Sequence, residues 1–420
     1  MGAASPSEVA AALSSAHREE WGRVLASTAR VTRDLDLAEE CTQDAFERAL
    51  QRWPADGIPR RPGAWLTTVA GNRARDVVRR EAHGRRLLPM LVVDDADPGA
   101  YASGDTTVPD DRLRLVFTCC HPALAPEAQV ALTLRLVCGL STAEVARAFL
   151  VPESTMAARI TRAKKKIAAA HIPYRVPTRD ELPERLGPVT DVLHLVFTTG
   201  HAAPSGPAPV RQDLVDVAVA MGRMLHRLLP DEPRVSGLLA LMLLAQARRS
   251  TRVGPDGTLV LLAAQDRTRW DRGLIDEATG LVAEALAAAP PDRFTVEAAI
   301  AAVHAEAPTW EATDWVEVVG LYDVLLSLWP SPVVELGRAA ALAFRDGPEA
   351  GLRALQPLLA DPTMATYPYL SSTRADLLRR LEAWDEAAVA YEEAVTLSGN
   401  DAERAFLTAR LDEVRGRRAP

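Results

Sequence analysis

A helix that could contact a nucleic acid lies near the middle of the chain. Between Glu153 and Arg175, six Lys or Arg residues stand against one acid, which gives a local charge of +5. Apolar residues recur there at spacings of four, three and four, as one helix face requires, at Met156, Ile160, Ala163 and Ile167. The other side is short, polar and cationic, and its candidate contacts are Ser154, Thr155, Arg159, Arg162, Lys165 and Lys166. Cationic groups bind phosphates, and short polar side chains reach base edges.

A shorter helix precedes this one at close spacing. Ser141 and Thr142 can cap a helix from Ala143 to Leu150, a tight turn follows at Val151–Glu153, and Ser154 can cap the cationic helix. The pattern indicates a helix-turn-helix whose second helix enters the major groove. The alternative is an amphipathic hairpin with a solvated basic face.

A second basic segment runs from Arg60 to Arg86. It has eight Arg residues against two acids, a local charge of +6, with Trp65 and Asn72 among them. Guanidinium groups bind phosphate, and aromatic rings can stack on unpaired bases. Trp65 adjoins Leu66, however, which favours a place in the core, so the alternative is a helix with a solvated basic side.

The helix from Ala38 to Leu50 is acidic on the side away from Cys41 and Ala45. An acidic helix beside a basic DNA-binding element indicates a protein partner, because like charge keeps it from the DNA backbone.

These segments resemble three parts of the sigma-70 family in the family's order. AEECTQDAFERAL resembles region 2.2, which docks on the polymerase clamp, and RPGAWLTTVAGNRARDVVRR resembles regions 2.3–2.4, which melt and read the −10 element. LAPEAQVALTLRLVCGLSTAEVARAFLVPESTMAARITRAKKKI resembles region 4, which reads the −35 element. The spacing, without a region 1.1 or a folded region 3, is similar to that of extracytoplasmic-function (ECF) sigma factors. IPYRVP, LLPDEPRVSGLLALMLL and AAIAAVHAEA are similar to an ECF subgroup with a helical C-terminal extension.

The resemblance implies roles for individual residues. The core-polymerase surface would comprise Glu39, Glu40, Gln43, Asp44 and Phe46. The −10 element would be contacted by Arg60, Arg61, Asn72, Arg73, Asp76, Arg79 and Arg80. The loop from Trp53 to Arg61 would hold a flipped base, and the six polar residues of the cationic helix would read the −35 element. Ala157 and Ala158 depart from the Lys and Ser that commonly precede the recognition-helix Arg.

We therefore expect an all-α fold with two small helical sigma domains and a tetratricopeptide (TPR)-like helical domain after them. Residues 1–86 would form region 2, residues 87–111 an acidic linker rich in Asp, and residues 112–172 the helix-turn-helix of region 4. Residues 173–420 would form the extension, in which Gly347 and Trp384 mark two copies of a weak repeat near 332–397. Ordinary helical hairpins are the alternative there. The turn at 254–257 could join two short strands, Ser250–Val253 and Thr258–Leu262.

The bulk composition fits this organisation. At 420 residues with 48% hydrophobic and 5% aromatic content, the chain builds helical cores from Leu, Val and Ala, and its net charge of −8 opposes non-specific coating of nucleic acid. No secretory signal or membrane span is visible, so we expect a cytoplasmic protein with reduced thiols at its four cysteines.

The function expected from the sequence is that of a sigma factor that binds core RNA polymerase and promoter DNA. The extension would act as a cis regulatory module, with a protein or intramolecular partner. No enzyme, cofactor or metal is expected, since GxxxxGK[ST], HExxH and GxSxG are absent. Three alternatives are a thiol or zinc enzyme at Cys119-Cys120-His121, a one-component helix-turn-helix regulator with a helical sensing domain, and a TPR scaffold tethered to DNA.

Overall fold

The computed structural model describes residues 5–86, 111–149, 151–203, 206, 208–254 and 257–417. Within these ranges the expected all-α fold is confirmed, and the β-structure amounts to two isolated bridges, Gly206 with Asn400 and Val253 with Leu259. The chain divides into two compact units, Met1–Val192 and Leu193–Pro420. None of the described helices is long and apolar enough to cross a membrane.

The first unit begins with a three-helix bundle. Its helices are α1 (Pro6–Thr32), α2 (Leu35–Asp56) and α3 (Pro62–Arg86). Ser5 and Glu8 form a capping box on α1, and Asp34 accepts the first amide hydrogen bonds of α2, so local polar residues set the starts of these two helices. Fully buried Val24, Leu66 and other apolar side chains make the core between the three helices.

Four shorter helices complete the first unit together with the start of a longer one. They are α4 (Asp111–Cys119), α5 (Pro126–Leu132), α6 (Thr142–Ala148) and α7 (Glu153–Ala169), followed by α8 (Leu182–His201), of which residues up to Val192 belong here. A π-helical turn, Thr133–Val137, continues α5. Gly139 follows it with a φ of 74°, and a Cβ there would lie 2.9 Å from the ring of Trp21. Glycine is therefore required for α1 to approach this turn so closely.

The described residues of the second unit form the end of α8 and ten further α-helices. They are α9 (Gln212–Leu228), α10 (Pro233–Ala247), α11 (Arg272–Ala288), α12 (Arg293–Glu306), α13 (Trp315–Leu328), α14 (Pro332–Arg345), α15 (Pro348–Leu359), α16 (Pro368–Arg380), α17 (Trp384–Leu397) and α18 (Asp401–Arg417). Short 3₁₀ turns at Arg249–Thr251, Leu262–Ala264 and Arg267–Arg269 connect α10 to α11. The helix α10 is apolar on nearly all sides and forms the centre of the packing with α9, α11 and α12.

The last helices include two hairpins, α14–α15 and α16–α17, within the range 332–397 for which a weak repeat is predicted. Their first helices begin at Pro332 and Pro368 and their second helices at Pro348 and Trp384, 36 residues apart in both cases. Sequential packing of such hairpins is the arrangement of a helical repeat.

The loop after α8 is joined to the far end of the second unit through buried Asn400. Its Nδ2 donates to the carbonyls of Ala203 (3.2 Å) and Ala208 (3.0 Å), and its Oδ1 accepts from the amides of Ala402 and Glu403 at the start of α18. Every polar atom of this amide is thus satisfied, which a fully buried amide requires.

Local sequence signals were mostly, though not always, correct. Ser141 and Glu144 form the capping box of α6 as expected. The proposed cap at Ser154 was wrong, because α7 already begins at Glu153 behind Pro152, which places Ser154 inside the first turn. The two short strands were also wrong, since only the Val253–Leu259 bridge and 3₁₀ turns lie there.

Two further expectations concern the division of the chain. The acidic linker, residues 87–111, lies outside the described residues apart from Asp111. Residues 173–192, which the sequence analysis gave to the extension, group with the first unit. The four-part division of the sequence analysis stays a prediction about independently folding domains.

Candidate nucleic-acid interface

The helix α7 has the two-sided character that its sequence predicts. Met156, Ile160, Ala163 and Ile167 are buried against the unit, in the predicted register. On the other side the side chains of Ser154, Thr155, Arg162, Lys165 and Lys166 are exposed. Arg159 is half-buried, with its guanidinium 5.5 Å from the ring centroid of Phe149, the residue that follows the end of α6. The helix therefore presents a cationic surface held at a fixed angle by α6.

The helix α3 exposes most of the second group of candidates. Arg60 and Arg61 are exposed immediately before it, and Asn72, Asp76, Arg79 and Arg80 are exposed along it. Asn72 accepts a hydrogen bond from Arg75 (2.7 Å), and Arg79 lies 3.9 Å from Asp76. Arg73 is different, because it is half-buried and its Nε donates to Asp44 of α2 (2.9 Å). The Arg73–Asp44 pair therefore connects α2 to α3, while Arg60, Arg61, Arg79 and Arg80 remain exposed on the surface.

The aromatic side chains near α3 stand in the core. Trp53 is fully buried, and the ring of Trp65 meets it edge-on at 5.7 Å between centroids. This is the core placement that the sequence favoured for Trp65, and it defines the base of the loop between α2 and α3.

The candidate polymerase-binding residues of α2 lie in three different environments. Glu40 and Gln43 are exposed, and Asp44 is held by Arg73. Phe46 is half-buried beside His17 and Trp21 of α1, with centroid distances of 5.5 and 5.8 Å. Glu39 is buried, with 8% of its surface exposed. Only part of the predicted polymerase surface is thus accessible in this conformation.

Glu39 is the centre of an ionic group, the Glu39 cluster, which consists of Asp36, Glu39, Arg135 and Lys164. Lys164 of α7 donates to Glu39 (2.6 Å) and Asp36 (2.8 Å), and Arg135 of the π-helical turn pairs with Glu39 from the other side. Burial acts to lower the pKa of Lys164, but its hydrogen bonds to Asp36 and Glu39 outweigh burial and hold that pKa above its ordinary value. The ionised Lys164–Glu39 pair is therefore stable in its buried position, and it holds α7 against α2.

Two backbone contacts strengthen the same junction. Gly22 of α1 packs on the π-helical turn so closely that a Cβ there would collide with the carbonyl oxygen of Val137. Tyr174, just after α7, donates from its hydroxyl to the carbonyl of Ala26 (2.8 Å). The bundle α1–α3 and the helices α4–α7 thus form one closed body.

The cysteines offer little for thiol chemistry. Cys119 and Cys120 are buried, and burial raises the pKa of Cys120 to about 12, with Thr133 Oγ1 at 3.4 Å from its sulfur. A thiolate is the reactive form, and burial disfavours it. Across the described residues no group of three potential metal ligands comes together.

Comparison with known proteins agrees with this geometry. The family described as sigma-70 region 2 matches residues 18–84, sigma-70 region 4 matches residues 114–167, and the family of unknown function DUF6596 matches residues 185–286. An uncharacterized protein, R00370, of Rhizobium meliloti is 42% identical over 407 residues, which cover 96% of this chain and 95% of that protein. The ECF RNA polymerase sigma factor SigK of Mycobacterium ulcerans is 30% identical over 142 residues, 33% of this chain and 74% of its own. SigK of Mycobacterium tuberculosis is 30% identical over 149 residues, 34% and 78% of the two chains.

A protein that contains sigma-70 regions 2 and 4 is a transcription initiation factor that binds DNA. The chain belongs to the sigma-70 family, as an ECF sigma factor with a C-terminal extension.

The residues that join the two halves of the first unit are not recognisable in the sequence. Lys164 stands there as one cation of the basic segment, and no pattern assigns a role to Arg135, Gly22 or Tyr174. Their local patterns carry no sign of the contact, because the Lys164–Glu39 pair joins residues 125 positions apart.

Proposed function

We propose that the chain binds core RNA polymerase through α2 and directs initiation at promoters that α3 and α7 recognise. The observation that carries this proposal is α7, whose cationic side is solvent-exposed while its apolar side is buried. A recognition helix needs that arrangement, since one side must hold the fold and the other must reach bases and phosphates. The exposed arginines of α3 support the second DNA contact.

The proposal requires the closed body to open. Elements named −10 and −35 lie about 25 base pairs apart, or roughly 85 Å of duplex at about 3.4 Å per base pair. In the closed body, Lys164 of α7 is hydrogen-bonded to Glu39 of α2. A helix that reads the upstream element therefore has to leave α2, and this release also uncovers Glu39 for the polymerase.

The experiment is run-off transcription with purified bacterial core polymerase. We expect promoter-specific transcripts from the full chain. We expect the double substitution Arg159→Ala and Arg162→Ala to weaken upstream-element binding, and each lost phosphate contact to lower the salt dependence by about 0.9 in logarithmic slope.

The matched control replaces Arg18 and Arg179 with alanine. Both are exposed arginines of the first unit outside the two basic segments, and their loss is expected to leave affinity and slope unchanged. If the chain binds promoter DNA equally well without core polymerase and never gives run-off transcripts, it acts as a one-component regulator instead.

We further propose that the extension controls the sigma domains in cis and is required for activity. The support is its size and its composition of packed helical hairpins, which suit a protein or intramolecular partner. The extent of the first unit determines where the chain should be truncated to test this role of the extension. Arg185 donates to the carbonyl of Phe117 (2.6 Å), and Leu186 and Val189 are buried, so the first unit needs residues beyond Tyr174.

Two truncations separate regulation from support of the fold. We expect a chain ending at Val192 to keep the thermal stability of the first unit but to lose promoter-specific transcription. We expect a chain ending at Tyr174 to unfold at least about 5 °C lower, because it loses the Arg185 hydrogen bond and two buried apolar side chains. If the chain ending at Val192 transcribes as well as the full protein, the extension is not a required control element.

A further inference from the structure

A cavity of about 430 Å³ lies inside the second unit. Its walls come from the end of α8, from α10, α12 and α13, and from the start of α14. Most of the lining is apolar, and Trp270, Trp329, Phe197 and Tyr322 supply flat aromatic surfaces. Cavities of this size and character bind small organic molecules, and a few polar groups among the apolar walls fix the orientation of the ligand.

The polar groups of the cavity carry an excess of positive charge. Arg293 is already engaged, since it donates to Glu297 (2.9 Å) and its guanidinium lies 3.4 Å from the ring centroid of Trp329. Arg248 is not engaged in this way. Among the described residues, its guanidinium has no ion pair and no hydrogen-bond acceptor. Removing a guanidinium from water without an anion is costly, so the half-buried Arg248 favours a negative occupant of the cavity.

The surroundings of Arg248 do not supply that anion. Arg252 donates to the ring and carbonyl of His201, and Arg267 donates to the carbonyls of His304 and Ala307, so both arginines are hydrogen-bonded to uncharged acceptors. Burial and the charges of Arg252 and Arg267 lower the pKa of Arg248 to about 10, which still leaves it protonated at neutral pH. The positive charge is therefore permanent and, among the described residues, has no compensating anion.

The histidines of the cavity are neutral. An arginine can only donate, so the ring nitrogens that face Arg252 and Arg293 must carry lone pairs, which selects the uncharged form of His201 and His194. Burial lowers the pKa of His304 to about 4, and its Nδ1 is a buried atom with no hydrogen-bond partner among the described residues. A neutral imidazole can donate from one of its ring nitrogens, and His304 is among the residues that line the cavity.

We infer that this cavity binds a small monocarboxylate with an aromatic or branched apolar body, its carboxylate on Arg248 and His304 and its body against the tryptophans. A guanidinium and one further donor match the two oxygens of a carboxylate. A phosphate has three oxygens to satisfy and a larger hydration shell to lose, which these apolar walls do not replace. The site is independent of promoter binding, so its test stands apart from that of the proposed function.

The test uses the full-length chain and three kinds of probe in calorimetric titrations. Indole-3-acetate and 3-phenylpropionate are the aromatic carboxylates, their primary amides are the uncharged matches, and inorganic phosphate is the anion without an apolar body. We expect saturable binding of the carboxylates with quenching of tryptophan fluorescence, at least about tenfold weaker binding of the amides, and no binding of phosphate.

Variants locate the binding. Arg248→Met keeps the apolar stem and removes the charge, and we expect it to weaken carboxylate binding at least about tenfold. Ala301→Phe fills the cavity from α12 and should abolish binding. Arg249→Met is the matched control, because Arg249 is the exposed neighbour of Arg248 in sequence and does not line the cavity. Thermal unfolding of each variant checks that the second unit is folded.

Three results would overturn the inference. The first is that neither carboxylate binds saturably to the wild-type chain. The second is that the amides or phosphate bind as well as the acids, which would mean that the cavity selects another chemistry. The third is that folded Arg248→Met and Ala301→Phe variants bind the carboxylates as the wild type does, since binding would then lie elsewhere on the chain.

Discussion

Replacing Gly237 with alanine is expected to destabilise the second unit by about 2–3 kcal/mol, although it adds a single methyl group. Gly237 lies in α10, where the backbone of α12 passes directly over it. A Cβ at Gly237 would stand 2.7 Å from the amide nitrogen of Thr295 and 2.9 Å from its Cα. Both atoms belong to the backbone, so no side chain can rotate away and the two helices have to separate.

The steric clash at Gly237 also affects the N-terminal cap of α12. Thr295 donates from its amide to Asp292 (2.9 Å), the residue that caps this helix. Displacement of the first turn of α12 would therefore disturb its capping as well as its packing. Because α12 also carries His304 and Ala301, we expect the same variant to weaken any binding in the cavity.

Gly280 provides the matched control for this substitution. It lies in α11 and is exposed, and a Cβ there would have no atom within 4 Å. Gly280→Ala should stabilise the second unit by up to about 1 kcal/mol, because alanine favours the helix over glycine. Chemical unfolding of the two variants and the wild type measures whether each substitution lowers or raises the free energy of unfolding. Equal stability of all three would show that α10 and α12 are not in close contact.

The sequence was sufficient to predict those structural features whose signal lies within a few neighbouring residues. The apolar register of α7 follows from helical periodicity, and the capping box at Ser141 requires residues only three positions apart. The false cap at Ser154 arose from a similar local rule, because Pro152 is equally compatible with an earlier helix start. Local chemistry thus identified the helices α6 and α7 and misplaced the start of α7 by two residues, whereas the two strands it predicted at 250–262 are absent from the described residues.

The sequence was insufficient where function depends on contacts between distant segments. His201, Arg248 and His304 reach the cavity from three different regions of the chain, and none stands in a spacing that suggests a common site. The Glu39 cluster likewise unites α2, the π-helical turn and α7. Charge patterns indicate which residues are candidates for polar contacts. Only the folded backbone determines which of these residues lie close together.

A second large effect is expected when the closed body of the first unit is opened. We expect the double variant Gly22→Ala, Lys164→Ala to separate α4–α7 from the bundle α1–α3. The methyl group at position 22 would collide with the carbonyl of Val137, and loss of Lys164 removes two of the ionic contacts of α7 with α2. Alanine suits the interior of α1 better than glycine, so the bundle itself should stay folded.

Opening is expected to increase the affinity for core polymerase. If the polymerase binds only the open form, the closed form weakens the observed affinity by the fraction of molecules that are open. A variant in which the open form predominates would bind at least about tenfold more tightly when fewer than one wild-type molecule in ten is open. Small-angle scattering should show a larger radius of gyration for the same variant, without loss of helical content by circular dichroism.

Gly71→Ala is the control for the glycine substitution, because a Cβ at Gly71 would meet no atom closer than 3.8 Å and that atom belongs to the flexible end of Arg75. It should leave both the radius of gyration and the affinity for core polymerase unchanged. A double variant that is folded but has the scattering profile and affinity of the wild type would mean that the closed body does not limit binding. An expanded variant with unchanged affinity would mean that the polymerase accepts both forms, in which case the Glu39 cluster stabilises the first unit without restraining it.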